Sequence, residues 1–230
     1  MKKLLIALSV LALLAAWLLY QLTTELRKGA SEDPTVWEQD IIKLEETTQG
    51  PAGSTLFTGS SSIRLWSTLA EDMAPIPVIQ RGFGGAKMED VRYYAQRLVA
   101  AQSPEAIVIF VGTNDITPGN TKDPQTLLLK YQEIIDVIRK EHADTPIYYI
   151  AITPSPSRWE VWDIAVQTNE LILQYTADEP GLHFIDTSSA LLNNGVPNPD
   201  LYLFDGLHLN QQGYAQWTRI IRDRLVNAAP

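Results

Sequence analysis

The stretch Ser54-Thr55-Leu56-Phe57-Thr58-Gly59-Ser60-Ser61-Ser62-Ile63-Arg64 decides how this chain is read. Its first half is a short apolar run of the kind that forms a buried strand. After Gly59 the apolar spacing loosens toward a helix. A strand that ends in Gly-Ser and turns into a helix can present a nucleophile. The glycine permits a tight turn, and the helix N-terminus offers free N–H groups to a developing oxyanion. Taken alone, the stretch reads first as an ordinary Gly-Ser turn, so its meaning depends on the rest of the chain.

The same strand–loop–helix pattern repeats downstream. After the strand at 55–58, apolar runs at 78–80, 106–111, 147–152 and 182–185 read as strands. Helical spacing falls between them, at 88–100, 124–141 and about 159–177, and a last helix runs from 210 or 211 to about 226. Strands alternating with helices of this length imply a parallel sheet covered on both faces, and right-handed crossovers make it a three-layer α/β/α sandwich. In such a sheet the functional loops lie beyond the carboxyl ends of the strands. Those ends carry Gly59-Ser60-Ser61, then Arg81-Gly82-Phe83-Gly84-Gly85, then Gly112-Thr113-Asn114-Asp115, then Thr153-Pro154-Ser155-Pro156-Ser157-Arg158. Asp205-Gly206-Leu207-His208 comes just before the final helix. These segments are expected to converge on one edge.

Of three histidines, His142 lies in the polar tail of a helix and His183 alternates with apolar residues in a strand. Only His208 sits in a loop of this edge, three residues after Asp205. A serine hydrolase needs a nucleophile, a base for its proton and donors for the oxyanion. Ser61 can attack, His208 can take the proton and return it to the leaving group, and Asp205 can orient the imidazole. The Ser61 N–H, the Gly85 N–H and the Asn114 amide are the candidate oxyanion donors. Each loop also has a plain reading as a turn or helix entry, and it is their joint arrival at successive strand ends that favours chemistry. Arg64, Arg81 and Arg158 lie near the predicted pocket edge. They can hold a substrate carboxylate or phosphate, but pairing with Asp72, Glu89 or Asp115 is the preferred expectation.

These blocks together resemble the SGNH or GDSL-type serine esterases and lipases. Gly59-Ser60-Ser61-Ser62, Gly82-Phe83-Gly84-Gly85, Gly112-Thr113-Asn114-Asp115 and Asp205-Gly206-Leu207-His208 stand in the family's order, over roughly residues 54–226. The resemblance implies a flavodoxin-like five-stranded sheet of order 2-1-3-4-5. It also implies Ser61 as nucleophile with Asp205 and His208, and Gly85 and Asn114 as oxyanion donors. The first block departs from the usual Gly-Asp-Ser, with Ser60 in the Asp position. The wider phrase from Phe57 to Trp66, and Pro154-Ser155-Pro156-Ser157-Arg158-Trp159, look like a subgroup in which serine is usual there.

Composition narrows the alternatives. The 230 residues suffice for one ordinary domain, and the formal net charge of -9 argues against a nucleic-acid partner. With no cysteine, the chain has no disulfide, thiolate nucleophile, sulfur-bound zinc or lipidated N-terminal Cys. One well-placed histidine gives little support to a metal site. The glycine-rich block lacks the last glycine of a dinucleotide loop, no phosphate-binding loop is present, and no cofactor is expected.

At the N-terminus Lys2 and Lys3 precede an apolar run from Leu4 to Tyr20, about 17 residues, at the short end of what spans a bilayer. No small-x-small cleavage site follows it. Residues 1–22 therefore read as an uncleaved membrane anchor, the alternative being a cleaved signal peptide. Residues 23–34 read as a tether and 35–230 as the hydrolase domain, with a leading helix at 35–48. The domain is expected on the extracytoplasmic (periplasmic) side, or secreted if the segment is cleaved. The expected substrate is a small-molecule, lipid or glycan ester. An acyltransferase of the same fold acting on envelope glycans, and a non-catalytic envelope binding module, are the competing readings. Acyl chain length and oligomeric state are left open.

Overall fold

The continuous apolar runs become the strands of one parallel sheet in the computed structural model, which describes residues 2–47, 49–99 and 103–227. The strands are β1 (Thr55–Gly59), β2 (Val78–Gly82), β3 (Ala106–Phe110), β4 (Ile147–Ile150) and β5 (Leu182–Ile185). Their spatial order is β2-β1-β3-β4-β5, all parallel. Every residue of β1 and β3 is buried, as a sheet covered on both faces requires.

The period of two along each strand sorts the core into two layers. Leu56, Ile107, Ile109, Ile147 and Tyr149 face one side. There they meet α2 (Glu38–Thr47), α3 (Met88–Val99), α4 (Pro124–Arg139) and α5 (Trp162–Asp178). Phe57, Val108, Phe110, Tyr148 and Ile150 face the other side, against Ile63, Trp66 and the apolar stripe Tyr214, Trp217, Ile221 and Leu225 of α6 (Gln211–Asn227).

Departures from the sequence reading have local causes. The strand expected to reach 152 ends at Ile150, because Ile152 is paired through its N–H and C=O to the side-chain amide of Asn169 on α5. The helix expected from 159 begins as a 3-10 segment, Pro156–Val161, and becomes α-helical only at Trp162. Two-residue ladders at Ile116–Thr117 with Asn120–Thr121, and Leu192–Asn193 with Val196–Pro197, were not foreseen. The ends of the runs at 48 and 100 lie outside the described residues.

The largest difference is at the N-terminus. One helix, α1, spans Lys2–Ala30, so the stretch expected as a tether is helical through Ala30. No glycine or proline interrupts the chain before Gly29, and the Thr23 and Thr24 hydroxyls fold back on Tyr20 O, both at 2.9 Å. Over Leu8–Ala30, α1 is long and apolar enough to cross a membrane, with mean hydropathy 1.4, a property that signal sequences share. The leading helix opens with a 3-10 turn, Pro34–Trp37, whose first N–H, that of Thr35, donates to the capping Asp33 Oδ1 (3.0 Å).

Two features of this framework are testable. Gly59 has φ +126°, and a Cβ there would lie 1.9 Å from Phe110 O. Gly59→Ala is expected to cost at least about 2 kcal/mol, read as a lowered urea midpoint followed by circular dichroism. Next, the entry to α3 is capped by two buried carboxylates, Asp90 Oδ2 on Lys87 N (2.8 Å) and Asp115 Oδ2 on Met88 N (2.9 Å). Burial pushes Asp90 up to about 6, against the pull of the Lys87 N–H and charge, and burial moves Asp115 in the same direction. The folded state therefore holds the Asp90 proton more tightly than the unfolded chain. That contribution is full below about pH 4 and is lost as pH rises through about 6. Asp90→Asn keeps an acceptor for Lys87 N and removes the titration. It is expected to flatten the pH dependence between pH 4 and 6 and to gain up to about 3 kcal/mol over the parent at pH 7, measured by urea unfolding across that range.

Candidate active site

Ser61 opens a single helical turn, Ser61–Arg64, directly after β1. The turn is held mainly by its main chain. Ser60 N donates to Phe110 O on β3 (2.9 Å), and Ser60 O accepts from Ile63 N (3.0 Å) and Arg64 N (3.2 Å). Ser60 makes no side-chain cap to this turn, so an Asp at that position is not needed to form it. Neighbouring elements grip the turn as well. Tyr214 OH on α6 donates to Ser62 O (2.8 Å), and the Gln80 amide on β2 donates to Ile63 O in the turn and to Trp66 O just beyond it (3.0 Å). As the first residue of a helical turn, Ser61 has an N–H with no intrahelical acceptor.

The loop before α6 brings the imidazole to this serine. Ser61 Oγ lies 2.9 Å from His208 Nε2, and His208 Nδ1 lies 2.6 Å from Asp205 Oδ2. The second oxygen of Asp205 accepts from the backbone N–H groups of Leu207 (2.9 Å) and His208 (3.0 Å). Burial pulls the Asp205 carboxyl upward, but the His208 imidazole and those two N–H groups outweigh it and hold the group below its ordinary value. It is therefore an anion at neutral pH, able to fix the imidazole with Nδ1 protonated and Nε2 free to accept. The loop is closed by Leu203 N on His208 O (2.8 Å) and tied to the segment after β4 by Ser157 N on Gly206 O (3.0 Å).

The other two motif loops meet on the far side of Ser61. Asn114 Nδ2 donates to Ala86 O (3.0 Å), which fixes the amide beside Gly85; one of its two N–H bonds is left for a ligand. The Trp37 ring packs against this loop, and a Cβ on Gly84 (φ +21°) would fall 1.9 Å from it. Ser61, Gly85, Asn114 and His208 all open into one cleft of about 290 Å³.

The arginines separate. Arg81 does not reach the cleft. It is buried and donates to Arg97 O (3.1 Å) and Leu98 O (2.9 Å) at the C-terminal end of α3, where a cation complements the helix dipole. Arg64 and Arg158 do line the cleft, and the expected pairing with acids is not found. Asp72 is taken by Trp66 and Thr68, Glu89 by Arg92 and Lys130, and Asp115 by Lys122. Among the described residues no ion pair involves Arg64 or Arg158. The sequence reading also missed three cleft residues from α1, Glu25, Leu26 and Gly29, because it assigned them to a tether and no local motif marks them.

Comparison with known proteins follows the geometry. The sequence model of the GDSL-like Lipase/Acylhydrolase family matches residues 47–216. The chain is similar to an N-acylneuraminate cytidylyltransferase of Escherichia coli (26% identical, covering 60% of this chain and 33% of that one). It is similar to an acetylxylan esterase of Xylanibacter ruminicola (28% identical, 53% of this chain and 28% of that one). It spans about a third of the length of these two relatives. A platelet-activating factor acetylhydrolase IB subunit alpha1 of Pongo abelii is 24% identical over 74% of each chain. Among solved structures, one from Streptococcus pneumonia named for platelet activating factor shares the fold with a TM-score of 0.71, at 19% identity over 94% of this chain and 98% of that one. With the match covering most of its length and all four motif blocks at one sheet edge, the chain belongs to the GDSL-like lipase/acylhydrolase family.

Proposed function

We propose that this protein is a serine esterase that cleaves a carboxylic ester through an acyl-enzyme. The observation that carries the reading is the unbroken chain from Ser61 Oγ to His208 Nε2 (2.9 Å) and from His208 Nδ1 to Asp205 Oδ2 (2.6 Å). In this reading Ser61 Oγ attacks the ester carbonyl as His208 Nε2 takes its proton. The imidazolium, stabilised by Asp205, then protonates the leaving alcohol. The negative charge that forms on the carbonyl oxygen is met by the Ser61 N–H, the Gly85 N–H and the remaining Asn114 amide N–H. Water repeats the sequence on the acyl-enzyme, with His208 as base, and releases the acid.

Two relatives carry names that speak of acetyl groups, the acetylxylan esterase and the acetylhydrolase subunit, and they favour a short acyl group here. Arg64 and Arg158 line the cleft outside any ion pair among the described residues, Glu25 beside them being held by Lys28, and they favour a substrate that carries negative charge near the ester. α1 serves as a membrane anchor in this proposal, with the Lys2–Lys3 end in the cytoplasm and the esterase domain on the extracytoplasmic side.

The test uses the full chain in detergent micelles with p-nitrophenyl acetate and butyrate. Ser61→Ala and His208→Ala are each expected to lower kcat/KM by about 10³-fold or more, and Asn114→Ala by about 10²-fold. Equal rates for the parent and Ser61→Ala would refute the esterase reading. Covalent labelling of Ser61 by a fluorophosphonate without ester turnover would move the assignment to acyl transfer onto an acceptor other than water.

A further inference from the structure

The end of α1 sits inside the catalytic cleft. Glu25, Leu26 and Gly29, on its last two turns, line the same volume as Ser61 and His208. Gly29 packs on the second motif loop, and a Cβ on Gly85 would lie 3.5 Å from its Cα and 4.0 Å from Asn114 Nδ2. A Cβ on Gly29 itself would meet nothing within 4 Å. Gly29 thus lines the cleft next to the Gly85 loop with no atom in the way of a side chain, and Leu26 lies one helical turn back along the same face.

This placement is held by charge. Lys28 Nζ reaches Asp40 Oδ2 (2.7 Å) and lies 5.3 Å from the Trp37 ring centroid, the same ring that supports the Gly84 loop. Just past the helix, Lys87 Nζ donates to Ser31 O (2.7 Å) and pairs with Glu32. Lys122 then bridges Glu32 (3.2 Å) and the buried Asp115 (3.0 Å). Lys87 follows the glycine block by two residues and Asp115 adjoins Asn114, so the latches run from α1 to the loops of the site itself.

We propose that the last turns of α1 form the acyl-side wall of the cleft, so that Leu26 and Gly29 set which acyl chains the enzyme accepts. The helix that anchors the protein is then also a specificity element of its active site. The proposal rests on the esterase reading above. An acyl chain leaving the carbonyl held at Gly85 and Asn114 runs into the space in front of Gly29 and gains contact with Leu26. A bulky side chain at position 29 fills that space and blocks long chains while leaving room for acetyl.

The experiment compares p-nitrophenyl acetate and octanoate on the full chain in detergent micelles. Gly29→Phe is expected to lower kcat/KM for octanoate by about tenfold or more and to leave acetate within about threefold. The substitution improves helix propensity and meets no atom at its Cβ, so thermal unfolding should be unchanged. Arg27→Phe, on an exposed position of α1 outside the cleft, should affect neither substrate. Leu26→Ala is the second variant, expected to reduce octanoate turnover several-fold with acetate unchanged. It answers the question if Gly29→Phe fails to fold. The proposal is overturned if these variants leave both esters unchanged or reduce both alike while the parent retains Ser61-dependent turnover, or if the parent turns over acetate in that way but not octanoate. A parent without such turnover overturns the esterase reading instead.

Discussion

The candidate catalytic edge depends on how closely β1 is allowed to approach β3 at its last residue. Gly59 pairs with Phe110 in the ladder, and the absence of a Cβ lets the backbone turn against the Phe110 carbonyl. That carbonyl then accepts from Ser60 N and so starts the helical turn on which Ser61 stands. β1 and β3 are interior strands, paired on both sides and fully buried, so the turn is built on a part of the sheet held from every direction. A nucleophile must be held within a fraction of an ångström of its base, and a rigid strand end achieves that better than a free loop.

The remaining loops are positioned by each other as much as by their own strands. Asn114 is fixed by the carbonyl of Ala86, so the third block depends on the second. Ser157 N bonds Gly206 O and Tyr202 OH bonds Pro154 O, so the histidine loop depends on the segment after β4. Trp37, from the segment that precedes the sheet altogether, occupies the space that the bare backbone of Gly84 leaves open. The site is thus a set of interlocked turns rather than a row of independent ones. A substitution that only widens one turn is expected to be felt at its neighbours.

Charge is distributed with the same economy. The chain is acidic overall, yet its acids near the edge are already committed. Asp205 is committed to His208, Asp115 to Lys122 and the α3 entry, and Asp90 to Lys87 N. That leaves Arg64 and Arg158 lining the cleft with no ion pair among the described residues, because Glu25, the acid that lines it with them, is paired with Lys28 (3.0 Å). A guanidinium at a concave site without a carboxylate partner is available to a ligand, and this is the physical basis for proposing a negatively charged substrate.

The sequence by itself determined the layered fold, because continuous apolar runs alternating with amphipathic helices have few other ways to bury their surfaces. It also determined which residues stand at the strand ends. Ser61, Gly85 and Asn114 could be singled out because parallel strands place their carboxyl ends together, and His208 because it is the histidine in a loop three residues after an aspartate, Asp205; in the structure these residues share one edge. What the sequence left undecided were matters of long-range pairing. The three arginines look alike in sequence. Only packing sends Arg81 under the end of α3 while Arg64 and Arg158 remain at the cleft. Residues 23–30 read as a tether because polar composition says nothing about docking. Ion pairs from Lys28, Lys87 and Lys122, to partners 12 to 90 positions away, hold the end of α1 against the site. Such contacts follow from where the fold brings distant charges into range, and no local pattern of residues records that.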